Sequence, residues 1–183
     1  MTAFIQEFRG SARAGTPKAG RQSGANLLGT LARYPALTKP FLIFNRHLLQ
    51  SNSLSPRHRE LLILRVAHVR GSDYEWAQHV LLAAEAGHGP QDIVRAAEGP
   101  DAPGWAPTER MLVLAADELL TDGVITETTW ATLETDFNER QLMDLVFTVG
   151  TYALLAMALR TFGVEPEPGL VPHLPAARTD LAR

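Results

Sequence analysis

Cysteine is absent from this 183-residue chain. Its absence excludes disulfides, thiolate metal sites, iron–sulfur clusters and any peroxidase or redox relay that works through a thiol. Walker motifs, phosphate-binding glycine loops, G-x-S-x-G elbows, dinucleotide fingerprints and the HExxH zinc pair are missing too. No stretch alternates apolar and polar residues as a half-buried strand does, and no βαβ rhythm appears. Long hydrophobic runs are also lacking. The longest, Leu145 to Leu159, is broken by Thr148 and Thr151 and bounded by Asp144 and Arg160. It falls short of the ~20 residues that cross a bilayer. The first residues, which include Glu7, hold no continuous apolar leader. The expectation is a cytoplasmic, all-α protein with no membrane partner.

The chain length suits one domain with a sizeable core. A hydrophobic fraction of 45% against 20% charged residues is that of an ordinary globular protein. The charge is unevenly spread. Residues 1–70 hold 11 Lys/Arg against Glu7 and Glu60, whereas residues 71–183 hold 6 against 18 acids. The basic half lacks a recognition motif and has few aromatics on which bases could stack, so no nucleic acid partner is expected. Charge complementarity within or between subunits explains the split better.

Residues 1–26, rich in Gly, Ala and Ser from Arg9 onward, read as a loosely ordered N-terminal arm. A helical domain is expected over 27–163. It begins with a short helix from Leu27 to Tyr34, ended by Pro35, and a second from Phe41 to Leu49. Further on come a short helix over 90–98, a Pro/Gly loop around Trp105, and a helix capped by Thr108 and running to Thr121. Another starts at Thr126. Asn138 with Gln141 reads as a capping box opening the longest helix, to Phe162, which ends at Gly163. That helix is apolar nearly all round, so it belongs in the core or in a subunit interface. The Pro-rich tail, 164–183, is expected to run extended over the surface.

The chemistry concentrates between Arg57 and Gly87, RHRELLILRVAHVRGSDYEWAQHVLLAAEAG. Ser55 and Pro56 are a good N-cap and first helical residue, and Gly71 permits the first helix to stop. Ser72 starts a second, so the segment reads as an antiparallel helix hairpin at the centre of the fold. Its first helix offers Glu60 and His68, its second Glu75 and His79. Glu75 and His79 stand at i and i+4, on one helix face, where a carboxylate can orient an imidazole for general acid–base work. Each has a blander reading. Ser72-x-x-Glu75 also matches a capping box, which would fold Glu75 back on its own helix start. His79 could be a satisfied core histidine. Glu60, flanked by Arg57 and Arg59, could be a solvated ion pair, and His68 fits a structural role. Tyr74 and Trp76 are packing residues or pocket walls, as are Phe44, Phe147 and Met143. Arg57, Arg59 or Arg65 could hold a substrate carboxylate. The two Glu/His pairs could also bind a metal, but no dedicated ligand spacing supports it, so no metal site is assigned.

The segment RELLILRVAHVRGSDYEWAQHVLLAAEAGHGPQDIVRAA resembles the carboxymuconolactone decarboxylase family, which also contains alkylhydroperoxidase D-like proteins. The stretch from ERMLVLAADELL through QLMDLVFTVGTYALLAMALRTFGV is similar to the part that completes the domain in Cys-free members. The resemblance spans roughly residues 35–163. It implies an all-α domain forming homo-oligomers (dimers, trimers or hexamers), with sites near subunit interfaces. In peroxidase-type members a glutamate precedes C-x-x-C and a histidine follows. Carried onto this chain, these fall on Glu60, on Ser72 and Glu75 in place of the cysteines, and on His79. The proton-relay residues are present and both thiols are gone. Decarboxylase-type members carry E-x-x-x-H, which Glu75 and His79 match, and use no cofactor. The resemblance therefore implies a cofactor-independent acid–base enzyme, a decarboxylase or related lyase/isomerase, acting on a small organic acid or lactone. Its catalytic residues would be His79, Glu60 and Glu75, and its substrate-binding residues Trp76, Tyr74, Arg65 and Phe44. The competing class is a non-catalytic oligomeric binding protein of the same fold.

Overall fold

Ser55 and Pro56 begin the helix on which the others pack. In the computed structural model, which describes residues 24–174, the Ser55 hydroxyl accepts the backbone N–H of His58 and Pro56 takes the first position, where no N–H is needed. In chain order the helices are α1 (Ala25–Leu31), α2 (Pro35–Gln50), α3 (Pro56–Val69), α4 (Asp73–Glu85), α5 (Pro90–Glu98), α6 (Pro107–Thr121), α7 (Glu127–Leu133) and α8 (Glu139–Thr161). A 3-10 turn follows at Pro168–His173. No strand occurs among the described residues, so the all-α expectation holds.

Helix α3 is central: it packs against α4, α5, α6 and α8. Every residue from Glu60 to Ala67 is buried. Its two apolar faces serve two cores. Leu62, Ile63 and Val66 join α6 and α8 in the larger one, while Leu61, Leu64 and Ala67 join Trp76, Ala83, Ala96 and Val113 in the smaller. Leu61, Leu62, Ile63 and Leu64 are each fully withdrawn from solvent, worth about 1.5–3 kcal/mol apiece before the entropy of ordering the chain is subtracted.

The turn from α3 to α4 closes as expected. Gly71 adopts φ 67°, a left-handed conformation that costs glycine little. The Gly71 N–H bonds the His68 carbonyl (3.1 Å) and the Ser72 N–H bonds that of Ala67 (2.9 Å). Asn138 and Gln141 form their capping box at the head of α8. Thr126 caps α7, whereas α6 begins at Pro107 with no side-chain cap from Thr108.

Two boundaries differ from the sequence expectation. Pro35 ends the first turn region but also opens α2, which runs through Pro40 instead of starting after it. Proline normally breaks a helix by removing a bond. Here the buried stripe of Thr38, Leu42, Asn45 and Leu48 spans the proline and holds both sides in one helix. The described part of the tail, 164–174, is likewise a folded strap and not an extended segment. Leu170 is fully buried, and the 3-10 turn rests on α4. Residues 1–23 of the expected arm and 175–183 of the tail lie outside the described residues.

Polar ties fix the helices. On α8, Asp144 accepts bonds from the Ser53 backbone and hydroxyl (both 2.6 Å) and from His47 of α2 (3.2 Å). Arg65 on α3 forms a bidentate pair with Asp117 on α6 (2.6 and 2.8 Å). It also donates to the Ala96 and Ala97 carbonyls, which the end of α5 leaves unpaired (3.2 and 2.8 Å). Gly99 passes so close that a Cβ there would lie 2.9 Å from Arg65 Nη2. Arg65 is thus a fastener between three helices, not a substrate ligand. Replacing it by Ala leaves Asp117 and two carbonyls without their donor. The expected cost is about 3 kcal/mol of unfolding free energy in urea titration, with substrate affinity of the folded protein unchanged.

Candidate functional site

Glu60 sits on the one side of α3 that meets both α4 and α8, and it is almost wholly buried (1% exposed). Burial alone would push its carboxyl upward. The His79 ring and the Arg59 guanidinium outweigh that and hold it below the ordinary carboxylate range. Arg59 donates through Nε (3.0 Å) and Nη2 (2.8 Å) to Oε1. His79 Nδ1 donates to Oε2 at 2.7 Å. With Nδ1 committed, Nε2 is the nitrogen left for chemistry. The imidazole also stands edge-on to the Tyr152 ring, 5.0 Å between centroids and 89° between planes. One turn before His79 on α4, Glu75 is equally buried, with neither oxygen hydrogen-bonded.

The capping reading of Glu75 fails for a local reason. The Ser72 side chain makes no cap bond, and its N–H is taken by Ala67 in closing the hairpin turn. Glu75 therefore points elsewhere. Burial drives its pKa up to about 8; the Ser72 hydroxyl opposes this from nearby, without hydrogen-bond geometry. At neutral pH this carboxyl is protonated. Glu60 and Glu75 are thus held in opposite states, one an anion and one an acid.

A partly open cavity of about 160 Å³ touches Glu75, His79, Tyr74, Gln78, Asn45 and Tyr152 and is otherwise walled by leucines, Leu27, Leu49, Leu82, Leu155 and Leu159, with Gly24 at its rim. Helices α1, α2, α4 and α8 all contribute. Glu60 stands behind His79, outside the lining. The strap secures one edge: Glu167 accepts from Tyr74 Oη (3.1 Å), Gln78 Nε2 (3.3 Å) and the Asn26 N–H (3.1 Å), so it ties α1 to α4. Burial first and the Glu167 charge second keep the Tyr74 phenol from ionising.

Of the residues expected at the site, Glu60, Glu75, His79 and Tyr74 come together. Trp76, Arg65 and Phe44 do not line the cavity. Trp76 is on the opposite face of α4 in the smaller core, beside the His68 ring at 5.7 Å. Phe44 is 40% exposed and meets Phe147 edge-on at 6.0 Å on the outer surface, where Met143 also lies. His68 consequently does not join the other three. Arg57 is spent on Glu109, Asp92 and the Gly87 carbonyl. Asn45, Gln78, Tyr152 and Glu167 were not anticipated. Asn45 left a readable trace, a polar residue on the apolar stripe of α2. The others left none. Among the described residues, no three His, Asp or Glu side chains are grouped to hold a metal ion.

The family model described as the carboxymuconolactone decarboxylase family matches residues 35–118, which contain all of α2 to α5 and most of α6. Over that stretch, a little under half of its length, the chain is similar to the carboxymuconolactone decarboxylase family. Three solved structures share the fold. One is an uncharacterized peroxidase-related protein with an alkylhydroperoxidase AhpD core from Ralstonia eutropha JMP134, 18% identical, covering 79% of this chain and 78% of that one, TM-score 0.71. The second, from Agrobacterium tumefaciens, is a protein of unknown function assigned provisionally to AhpD antioxidant defence, 19% identical, covering 80% and 97%, TM-score 0.67. The third is an uncharacterized peroxidase-related protein from Silicibacter sp. TM1040, 17% identical, covering 79% and 81%, TM-score 0.67. At such identities the likeness is one of fold. No curated protein matches the sequence.

The opposed states of Glu60 and Glu75 set the pH dependence of stability. Glu75 keeps its proton in the folded protein up to about pH 8, while in the unfolded chain it loses it near the ordinary value of ~4.3. Between those values the folded state binds the extra proton, so stability falls as pH rises. Glu75→Gln removes that slope. Its melting temperature should exceed the parent's at pH 8–9, by an amount reflecting a few kcal/mol, and approach the parent's near pH 4. Thermal melts across pH test this. Parallel curves would mean that Glu75 is not a buried acid.

Proposed function

We propose that the cavity beside His79 is the active site of a cofactor-independent acid–base enzyme, a lyase or isomerase of the carboxymuconolactone decarboxylase type acting on a small organic molecule. The observation that carries this reading is the division of labour between the two glutamates around one imidazole. Glu60, as an anion, holds Nδ1–H and supports the positive charge His79 acquires on taking a proton at Nε2. Glu75, as a neutral acid at the cavity wall, has a proton to give. In the step we envisage, Nε2 removes a proton from a carbon next to a carbonyl. The Glu75 O–H then delivers its proton where negative charge gathers. An imidazolium and a carboxylate remain, and the product or a water returns the proton from one to the other. Without a cysteine, thiol-based peroxide reduction has no nucleophile in this chain.

A binding-only role would want Glu60 and His79 consumed by each other with no hollow beside them. The hollow bordered by His79 favours catalysis. The test is proton NMR of deuterium incorporation and product formation from a panel of five- and six-membered lactones and cyclic ketones. His79→Ala and Glu75→Gln should each lower the rate about 10²–10⁴-fold, with circular dichroism unchanged. Turnover that survives His79→Ala would remove the mechanism.

We also infer that the chain forms a homo-oligomer through the outer face of α8. Met143, Phe147, Leu154 and Met157 follow one another at helical spacing on that face, each more than half exposed, with Phe44 of α2 alongside. A monomer gains nothing from such a stripe. Phe147→Asp should shift the protein to a smaller species in analytical ultracentrifugation without unfolding it. An unchanged sedimentation coefficient would place the interface elsewhere.

A further inference from the structure

We propose that this cavity selects an uncharged molecule the size of a single ring, and that Asn45 Oδ1 recognises it by accepting a hydrogen bond from a hydroxyl or N–H on the ligand. The proposal rests on the acid–base reading above and supplies what that reading leaves open, the class of substrate.

Size comes first. A cavity of about 160 Å³ is close to the ~150 Å³ apolar cavity that accommodates benzene in an engineered protein core. Room exists for one ring with small substituents and little more.

Charge comes second. Among the described residues, no lysine or arginine lines the cavity. The arginines nearest in sequence are all committed: Arg57 to Glu109 and Asp92, Arg59 to Glu60 and the Leu49 carbonyl, Arg65 to Asp117. A carboxylate entering this leucine-walled space would shed its water with no cation to meet it, which is strongly unfavourable. An ammonium group would meet Glu75, but only by stripping its proton and burying a second charge in the same apolar space. A neutral molecule incurs neither cost. The lactone side of the expected substrate range fits; a free organic acid does not.

Polarity comes third. Asn45 is 8% exposed, borders the cavity, and leaves Oδ1 buried without a partner. Leaving such an acceptor unmet costs about 1–3 kcal/mol. It stands on the buried stripe of α2 with Thr38, Leu42 and Leu48, where a leucine would pack better if packing were its task. Glu75 is the other unmet polar group on the wall. A ligand that donates to Asn45 and accepts from the Glu75 acid satisfies both at once.

NMR-monitored titration at pH 7 with four probes of equal ring size tests this: phenol, toluene, benzoate and benzylamine. Phenol should bind at least tenfold more tightly than toluene, and neither benzoate nor benzylamine should compete at tenfold higher concentration. Asn45→Leu should weaken phenol about tenfold and leave toluene unchanged or improved. Benzoate or benzylamine binding as well as phenol would overturn the proposal, as would phenol affinity indifferent to Asn45→Leu. The wild-type series decides the matter even if that variant misfolds. Phenol recognised through Asn45 with turnover indifferent to His79→Ala would sink the acid–base reading alone. Binding of anions with turnover lost in His79→Ala would sink only the substrate class.

Discussion

A carboxylate in the middle of a hydrocarbon core is tolerated only if something compensates its lost hydration. Glu60 is that group, and the arrangement of the site follows from it. Arg59, adjacent in sequence, supplies two donors to one oxygen, and His79, from the next helix, supplies one to the other. The second bond is the consequential one. It locks α3 to α4 at one level, chooses the tautomer of the imidazole, and leaves Nε2 as the nitrogen that Glu60 does not hold. Removing the histidine would cost more than a contact, because a buried charge would lose one of its three donors and one oxygen would be left unmet.

Glu75 shows the same physics with the opposite outcome. It lies one turn from His79 on the same helix, yet among the described residues no donor closes a hydrogen bond to it, the nearby Ser72 hydroxyl included. The cheaper state for a buried carboxyl with no partners is the protonated one. Two residues of identical chemistry thus arrive at different charges because one has donors and the other has leucines. On the acid–base reading proposed above, that difference lets protons pass through a single imidazole without a thiol.

The strap and α1 give the site its walls. Glu167, tied to Tyr74, Gln78 and Asn26, brings two segments far apart in sequence onto one helix. The leucines of α1, α2, α4 and α8 then enclose the cavity, and its preference for neutral ligands follows from what they lack. Arginines are abundant around α3, but each finds a carboxylate or a helix-end carbonyl first. A guanidinium has five donors and a fixed fork, and in a helical bundle the ends of neighbouring helices are the readiest acceptors. Arg65 took that route, which is why it fastens α5 and α6 and does not serve a substrate.

Much of this was legible in the residues alone. Local signals did their work where local forces decide: Ser55-Pro56 and Asn138 with Gln141 as helix starts, and Gly71 and Gly163 as stops. The i,i+4 spacing put Glu75 and His79 on one cavity wall, but Glu60 and not Glu75 bonds the imidazole. Family resemblance brought Glu60 to the histidine. What sequence could not reveal was which face of each helix would meet which neighbour. Trp76 and Tyr74 are two residues apart on α4, so they point to different sides, and only the packing of α3 and α8 settled which side holds the cavity. Pro40 stayed inside α2 because the buried stripe on either side of it outweighed one lost hydrogen bond. Glu75 did not fold back on its own helix start, because the Ser72 N–H was claimed by Ala67 across the turn. Composition and short-range pattern determined an all-α, thiol-free chain with an imidazole between two acids. Tertiary structure alone decided the charge of each acid, since a pKa depends on how much water and how many donors surround the group, and both are set by residues distant in the chain.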